Sequence, residues 1–113
     1  MNLTMELERL KQELNYSIKQ LRTNGEAYAA AERDYKIALR QKALILKDSG
    51  MAVTLIDKVV YGERDVAEKR FKRDVAEAVY MANQECIQST KLQMRLVENQ
   101  IAREWGQAGT GGF

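Results

Sequence analysis

The chain predicts an all-α fold, a long antiparallel helical hairpin with a short capping helix at its bend. Three observations carry this. Proline and histidine are both absent from the 113 residues. Apolar residues recur at helical spacing in two long stretches. One short interruption near Gly50 separates them. Proline breaks interior helical turns, so its absence lets both stretches run uninterrupted.

The first helix is expected over about 3–48. At about 100° per residue, Leu3, Leu7, Leu10, Leu14, Leu21, Tyr28, Tyr35, Leu39 and Leu46 share one stripe about 100° wide, with Ile18 at its edge. Gly25 also lies on it, costing about 1 kcal/mol relative to alanine and marking a place where another backbone can approach. Glu32 falls between Tyr28 and Tyr35, where a carboxylate needs a partner. A tyrosine hydroxyl from Tyr28, Tyr35 or Tyr80, or Lys36 one turn on, would serve.

Lys47-Asp48-Ser49-Gly50 reads as a helix end, with a basic group in the last turn and glycine just beyond. Thr54-Leu55-Ile56-Asp57 then has the form of a capping box opening a short apolar helix over 54–61, which Gly62 ends. Asp65 is the expected N-cap of the second long helix, over 65–105. Its apolar residues, from Ala67 through Cys86 to Trp105, spread over about 200°, twice the usual stripe. One antiparallel neighbour cannot cover that arc. The excess implies a homo-oligomer, with Phe71, Val75, Val79, Met94, Val97, Ile101 and Trp105 as its contact residues. Cys86, at the middle of the arc, is expected to be a buried, inert thiol.

A fold-back near residue 56 pairs positions whose numbers sum to about 112. Leu7 then meets Trp105, Leu14 lies near Glu98 and Ile101, and Leu39 lies near Phe71 to Val75. Residues 1–105 form a single domain. The tail, residues 106–113, is rich in glycine and expected to be flexible, a frayed end with one stray aromatic, Phe113, for which a docking tip is the alternative reading.

Composition excludes much chemistry. Without histidine there are no Ser/His or Cys/His nucleophile pairs and no histidine-bearing metal motifs. A single cysteine excludes a zinc ribbon and an internal disulfide. The expectation is therefore no enzyme and no cofactor. No apolar run is long enough to span a bilayer, and the start of the chain lacks signal-peptide character, so a cytoplasmic location away from the membrane is expected.

The net charge of +2 is small but unevenly placed. Residues 33–73 carry eleven basic and six acidic groups, so positive charge collects at the bend. Arg64, Lys69, Arg70, Lys72 and Arg73 around Phe71 are candidates for phosphate contact, with Tyr61 or Phe71 as a stacking face. Acids are interleaved with them, and Glu68 to Lys72 is a favourable i,i+4 pair, as on a solvated face. The helix–turn–short helix–turn pattern over 47–66 imitates a DNA-binding helix-turn-helix. Flanking helices of this length do not suit a compact trihelical domain, and Asp65 and Glu68 repel phosphate.

The stretches DYKIALRQKALILKDSGMAVTLIDKVVYG, RFKRDVAEAVY and LVENQIAREWG resemble a family of small helical proteins encoded by phages and prophages of Gram-positive bacteria. The resemblance covers about two-thirds of the chain. That family has no established activity and supplies no catalytic residues. The resemblance implies residence in the host bacterium and an accessory role in phage DNA replication or recombination, on DNA or on a DNA-bound protein. The function expected is thus a non-enzymatic interaction or scaffold protein that assembles with itself. The alternative is direct nucleic-acid binding through the basic bend.

Overall fold

The structure, a computed structural model, describes residues 2–111, with side chains described as far as Gly106. It contains α1 (Leu3–Asp48), α2 (Val53–Val59), a 3-10 turn at Val60–Gly62 and α3 (Arg64–Gly111), and no strand among the described residues. The chain divides into two compact units. Unit 1 is residues 1–22 with 82–113, and unit 2 is residues 23–81. Phe113 lies outside the described residues. Helix α3 runs to Gly111 rather than stopping at Trp105. One glycine at 106 costs about 1 kcal/mol in a helix, too little to end it alone.

In unit 2, α1 ends in a Schellman motif. Gly50 takes φ 94°. Its N–H donates to the Lys47 carbonyl at 3.0 Å, and the Met51 N–H donates to the Leu46 carbonyl at 3.2 Å. Leu46 and Met51 both pack on the core, the apolar contact that accompanies this motif. The start of α2 differs from expectation. Its N-cap is Ala52, without a side-chain bond, so Thr54 sits inside the helix and forms no capping box. Asp65 is not an N-cap either. It lies in the first turn of α3, where its charge still favours the helix dipole.

The core of unit 2 is Tyr35, Ile56, Val60 and Val66, with Leu39, Ala43, Leu46 and Met51 packed against it. Val66 is fully buried. Helices α1 and α3 are antiparallel here. The Tyr28 hydroxyl donates to Glu77 at 3.1 Å, Arg73 donates to Glu32 at 2.9 Å, and Lys42 lies 3.6 Å from Glu63. All three pairs sum to 105, not 112. The register differs by two turns because α1 overshoots the start of α3. Ile56 and Val60, from α2 and the 3-10 turn, pack beside those last turns of α1, and Leu39 packs with Val66 rather than Phe71.

In unit 1, Leu10, Ser17, Asn83, Ile87 and Thr90 are buried. The Asn83 amide donates to the Ser17 carbonyl at 2.9 Å. Ser17 Oγ lies 3.6 Å from Cys86 Sγ, yet Cys86 itself is exposed and not buried as expected. It sits one position before Ile87, just off the packed line, so the wide arc placed it in the core wrongly.

Both long helices follow a seven-residue period. Val66, Arg73, Tyr80, Ile87, Met94 and Ile101 are spaced by seven, as are Lys69, Ala76, Asn83, Thr90 and Val97, and all are buried or half-buried. That is a coiled-coil seam. The 200° arc arose because this seam carries Arg73, Tyr80, Asn83 and Thr90, while apolar residues also occupy the opposite side.

Candidate interaction surfaces

The seam of unit 2 holds a polar cluster built around Arg73, whose side chain is only 19% exposed. Arg73 donates to Glu32 and to its neighbour Asp74 at 2.7 Å, and its guanidinium lies 4.8 Å from the Tyr35 ring centre. Lys36 approaches Glu32 to 3.6 Å. The hydrogen bonds from Glu32 and then Asp74 push the Arg73 pKa up, so the group is fixed as a cation. The Arg73 hydrogen bond in turn holds the Glu32 carboxyl below its ordinary range, against the opposing effect of desolvation. Glu32 therefore has a partner on α3, not a tyrosine. Tyr28 bonds Glu77 instead, and that bond pushes its hydroxyl pKa up.

Gly25 has a specific neighbour. A Cβ built there would lie 3.1 Å from Cε1 of Tyr80. The close approach is by a side chain and not by another backbone. The Tyr80 ring is held in turn beside Tyr28, with centres 6.0 Å apart.

The basic residues near the bend are dispersed among partners. Arg73 is drawn into the seam. Arg70 lies 5.8 Å from the Tyr61 ring centre. Lys72 sits 4.0 Å from Glu68. Lys69 is half-buried and Arg64 exposed. Four cationic side chains thus remain toward solvent or a groove, and Tyr61 is already covered on one face by Arg70.

The predicted contact residues separate into two sets. Met94, Val97 and Ile101 are half-buried and continue the packed heptad lines of Ile87 and Thr90 in unit 1. Phe71, Val75 and Val79 in unit 2 are 68%, 46% and 48% exposed. They point away from the seam, in the pattern i, i+4, i+8, with exposed Ala78 between them. Trp105 is exposed.

Each unit carries a shallow groove. In unit 1 a groove of about 580 Å³ is lined by Arg9, Gln12, Glu13, Tyr16, Ser17 and Cys86, and Arg9 is ion-paired to Glu6 and Glu13. In unit 2 a groove of about 300 Å³ is lined by Asp34, Ile37, Ala38, Gln41 and Lys69. Among the described residues no three histidine, cysteine, aspartate or glutamate side chains gather where they could hold a metal, and no helix is long and apolar enough to cross a membrane. Residue reasoning missed Val66, Asn83 and Arg73 as packing residues. A search for sevenfold spacing that admitted polar residues would have found them. Comparison with known proteins yields no matching family model, no matching curated protein and no matching solved structure.

Proposed function

We propose that the chain is a non-enzymatic interaction or scaffold protein that works as an assembly of its own copies. The observation that carries this is the stripe of Phe71, Val75 and Val79, exposed on the side of α3 opposite Val66, Arg73 and Tyr80. Apolar side chains left about half or more exposed at helical spacing are a surface for another helix. An accessory place in phage DNA replication or recombination, inside the host bacterium, rests on the family resemblance alone.

Solution mass tests the reading. The wild type should scatter as a dimer or larger. Val75→Glu combined with Val79→Glu should shift the mass to that of one chain while the helical circular dichroism stays, because neither residue is in the seam. A monomeric wild type, or a variant of unchanged mass, would remove self-association. Val97→Glu and Ile101→Glu are poorer probes, since half-buried seam positions would unfold unit 1 as well.

The second reading is direct nucleic-acid binding through Arg64, Lys69, Arg70 and Lys72. The observation in its favour is that Arg64, Arg70 and Lys72 are exposed and not drawn into the seam as Arg73 is. Binding of a short single-stranded oligonucleotide that weakens steeply with salt would support it. Binding unaffected by changing all four to glutamine would end it.

A further inference from the structure

Asn24-Gly25 is the one Asn-Gly pair in the chain. An asparagine amide is open to attack by the backbone nitrogen of the residue that follows it. Glycine leaves that nitrogen least hindered, because it has no Cβ. The structure favours glycine here, since a Cβ at 25 would lie 3.1 Å from Cε1 of Tyr80. The close approach of the Tyr80 ring thus keeps a reactive dipeptide inside α1.

The helix holds the reaction back. Helical ψ at Asn24 turns the Gly25 nitrogen away from the side-chain carbon. The same N–H belongs to the i to i−4 ladder of α1. Attack therefore requires the helix to open around 24–25. Opening is easiest where few apolar side chains are buried, and this end of unit 2 has that character. From 23 to 34 on α1 and from 67 to 81 on α3, no side chain of unit 2 is buried. Thr23-Asn24-Gly25-Glu26-Ala27 offers no apolar group larger than a methyl. Contact with α3 is made instead by the Tyr28 to Glu77 bond of 3.1 Å, the Glu32–Arg73 pair and the Tyr28 and Tyr80 rings. Gly25 itself weakens the helix further.

We propose that Asn24 is a self-modification site, gated by local opening of α1. In the open segment the Gly25 nitrogen gives up its proton and bonds to Asn24 Cγ. The Cγ–Nδ2 bond breaks, and ammonia leaves with that proton. Water then adds to either carbonyl of the resulting succinimide ring and opens it, giving aspartate or isoaspartate at 24. No other reactant is needed. Either product places a carboxylate at a half-buried seam position. Isoaspartate also routes the main chain through the side-chain carboxyl, which adds a carbon to the backbone and breaks the ladder. Each event loosens this end of unit 2.

Incubation of the full chain at mildly alkaline pH tests the proposal. Trypsin cuts after Arg22 and Arg33, so the fragment 23–33 reports the change by mass. Isoaspartyl methyltransferase scores the isoaspartate. The wild type should convert more slowly than the same chain in urea, and the ratio of rates gives the open fraction. Tyr28→Phe removes the bond to Glu77 and should speed conversion about tenfold, the effect of losing a hydrogen bond to a charged group. Gly50→Ala weakens the distant end of α1 and should leave the rate unchanged. Gly25→Ala hinders the attacking nitrogen and should nearly stop it. A native wild type that stays intact while the chain in urea converts fully overturns the proposal. So does a Tyr28→Phe rate equal to the wild type's. Equal acceleration by Gly50→Ala would assign the reaction to global unfolding and overturn the local gate. Should Tyr28→Phe fail to fold by circular dichroism, Glu77→Gln weakens the same bond, and an unchanged rate there has the same force.

Discussion

The contacts that set this structure at the residue scale are polar ones placed where a coiled coil expects apolar side chains. Asn83 to the Ser17 carbonyl, Glu32 to Arg73 and Tyr28 to Glu77 each tie one level of α1 to one level of α3. Leucines can slide by a turn and still pack, whereas these groups lose their bonds if the helices slip. Glu32 makes the effect depend on pH. Its pKa is lowered in the folded state, so its contribution is complete above the ordinary value of 4.5 and is lost as pH falls below it. The melting temperature of Glu32→Gln should therefore lie below that of the wild type at neutral pH and converge with it in acid. A gap that persists at low pH would assign the loss to packing. Gly25 poses a second residue-scale question. Alanine gains about 1 kcal/mol of helix propensity, but its Cβ meets the Tyr80 ring at 3.1 Å. Gly25→Ala should be nearly neutral alone and stabilise by about 1 kcal/mol in a Tyr80→Ala background, as read by denaturant unfolding. Equal effects in both backgrounds would show that the ring imposes nothing.

At the element scale, the end of α1 was legible and the start of α2 was not. Gly50 after Lys47 is a strong local signal, because only glycine takes positive φ without strain. Gly50→Ala should cost about 1–2 kcal/mol, all of it backbone, since nothing lies within 4 Å of the added Cβ. Gly62→Ala, in equally open space but without positive φ, should cost far less. Equal melting temperatures for the two variants would contradict the assignment. Thr54 misled because a capping box is a common pattern, and the apolar residues of α2 decided the helix start through their packing on α1. The two-turn difference in register has the same origin. Burying Ile56 and Val60 against Leu39, Ala43 and Leu46 requires α1 to project past α3, and no local residue announces that.

For the molecule as a whole, the self-association proposed above would make stability depend on concentration. The melting temperature of the wild type should rise with protein concentration, and that of the Val75→Glu, Val79→Glu chain should not. A wild-type value independent of concentration would argue against the proposed assembly. The sequence by itself determined the helical class, the two long helices, the place of the break and the presence of more apolar surface on α3 than one neighbour covers. These follow from proline absence, helical spacing and local turn chemistry, which act over a few residues. Tertiary structure alone decided which side of α3 is the seam, that Arg73 belongs to it, that Cys86 is exposed, and that the register of unit 2 sums to 105. Those depend on pairing between residues far apart in the chain. Hydropathy counts Arg73 and Asn83 as surface and Phe71 as core, whereas bonds across the helix pair draw Arg73 and Asn83 inward and Phe71 is left exposed on the other side.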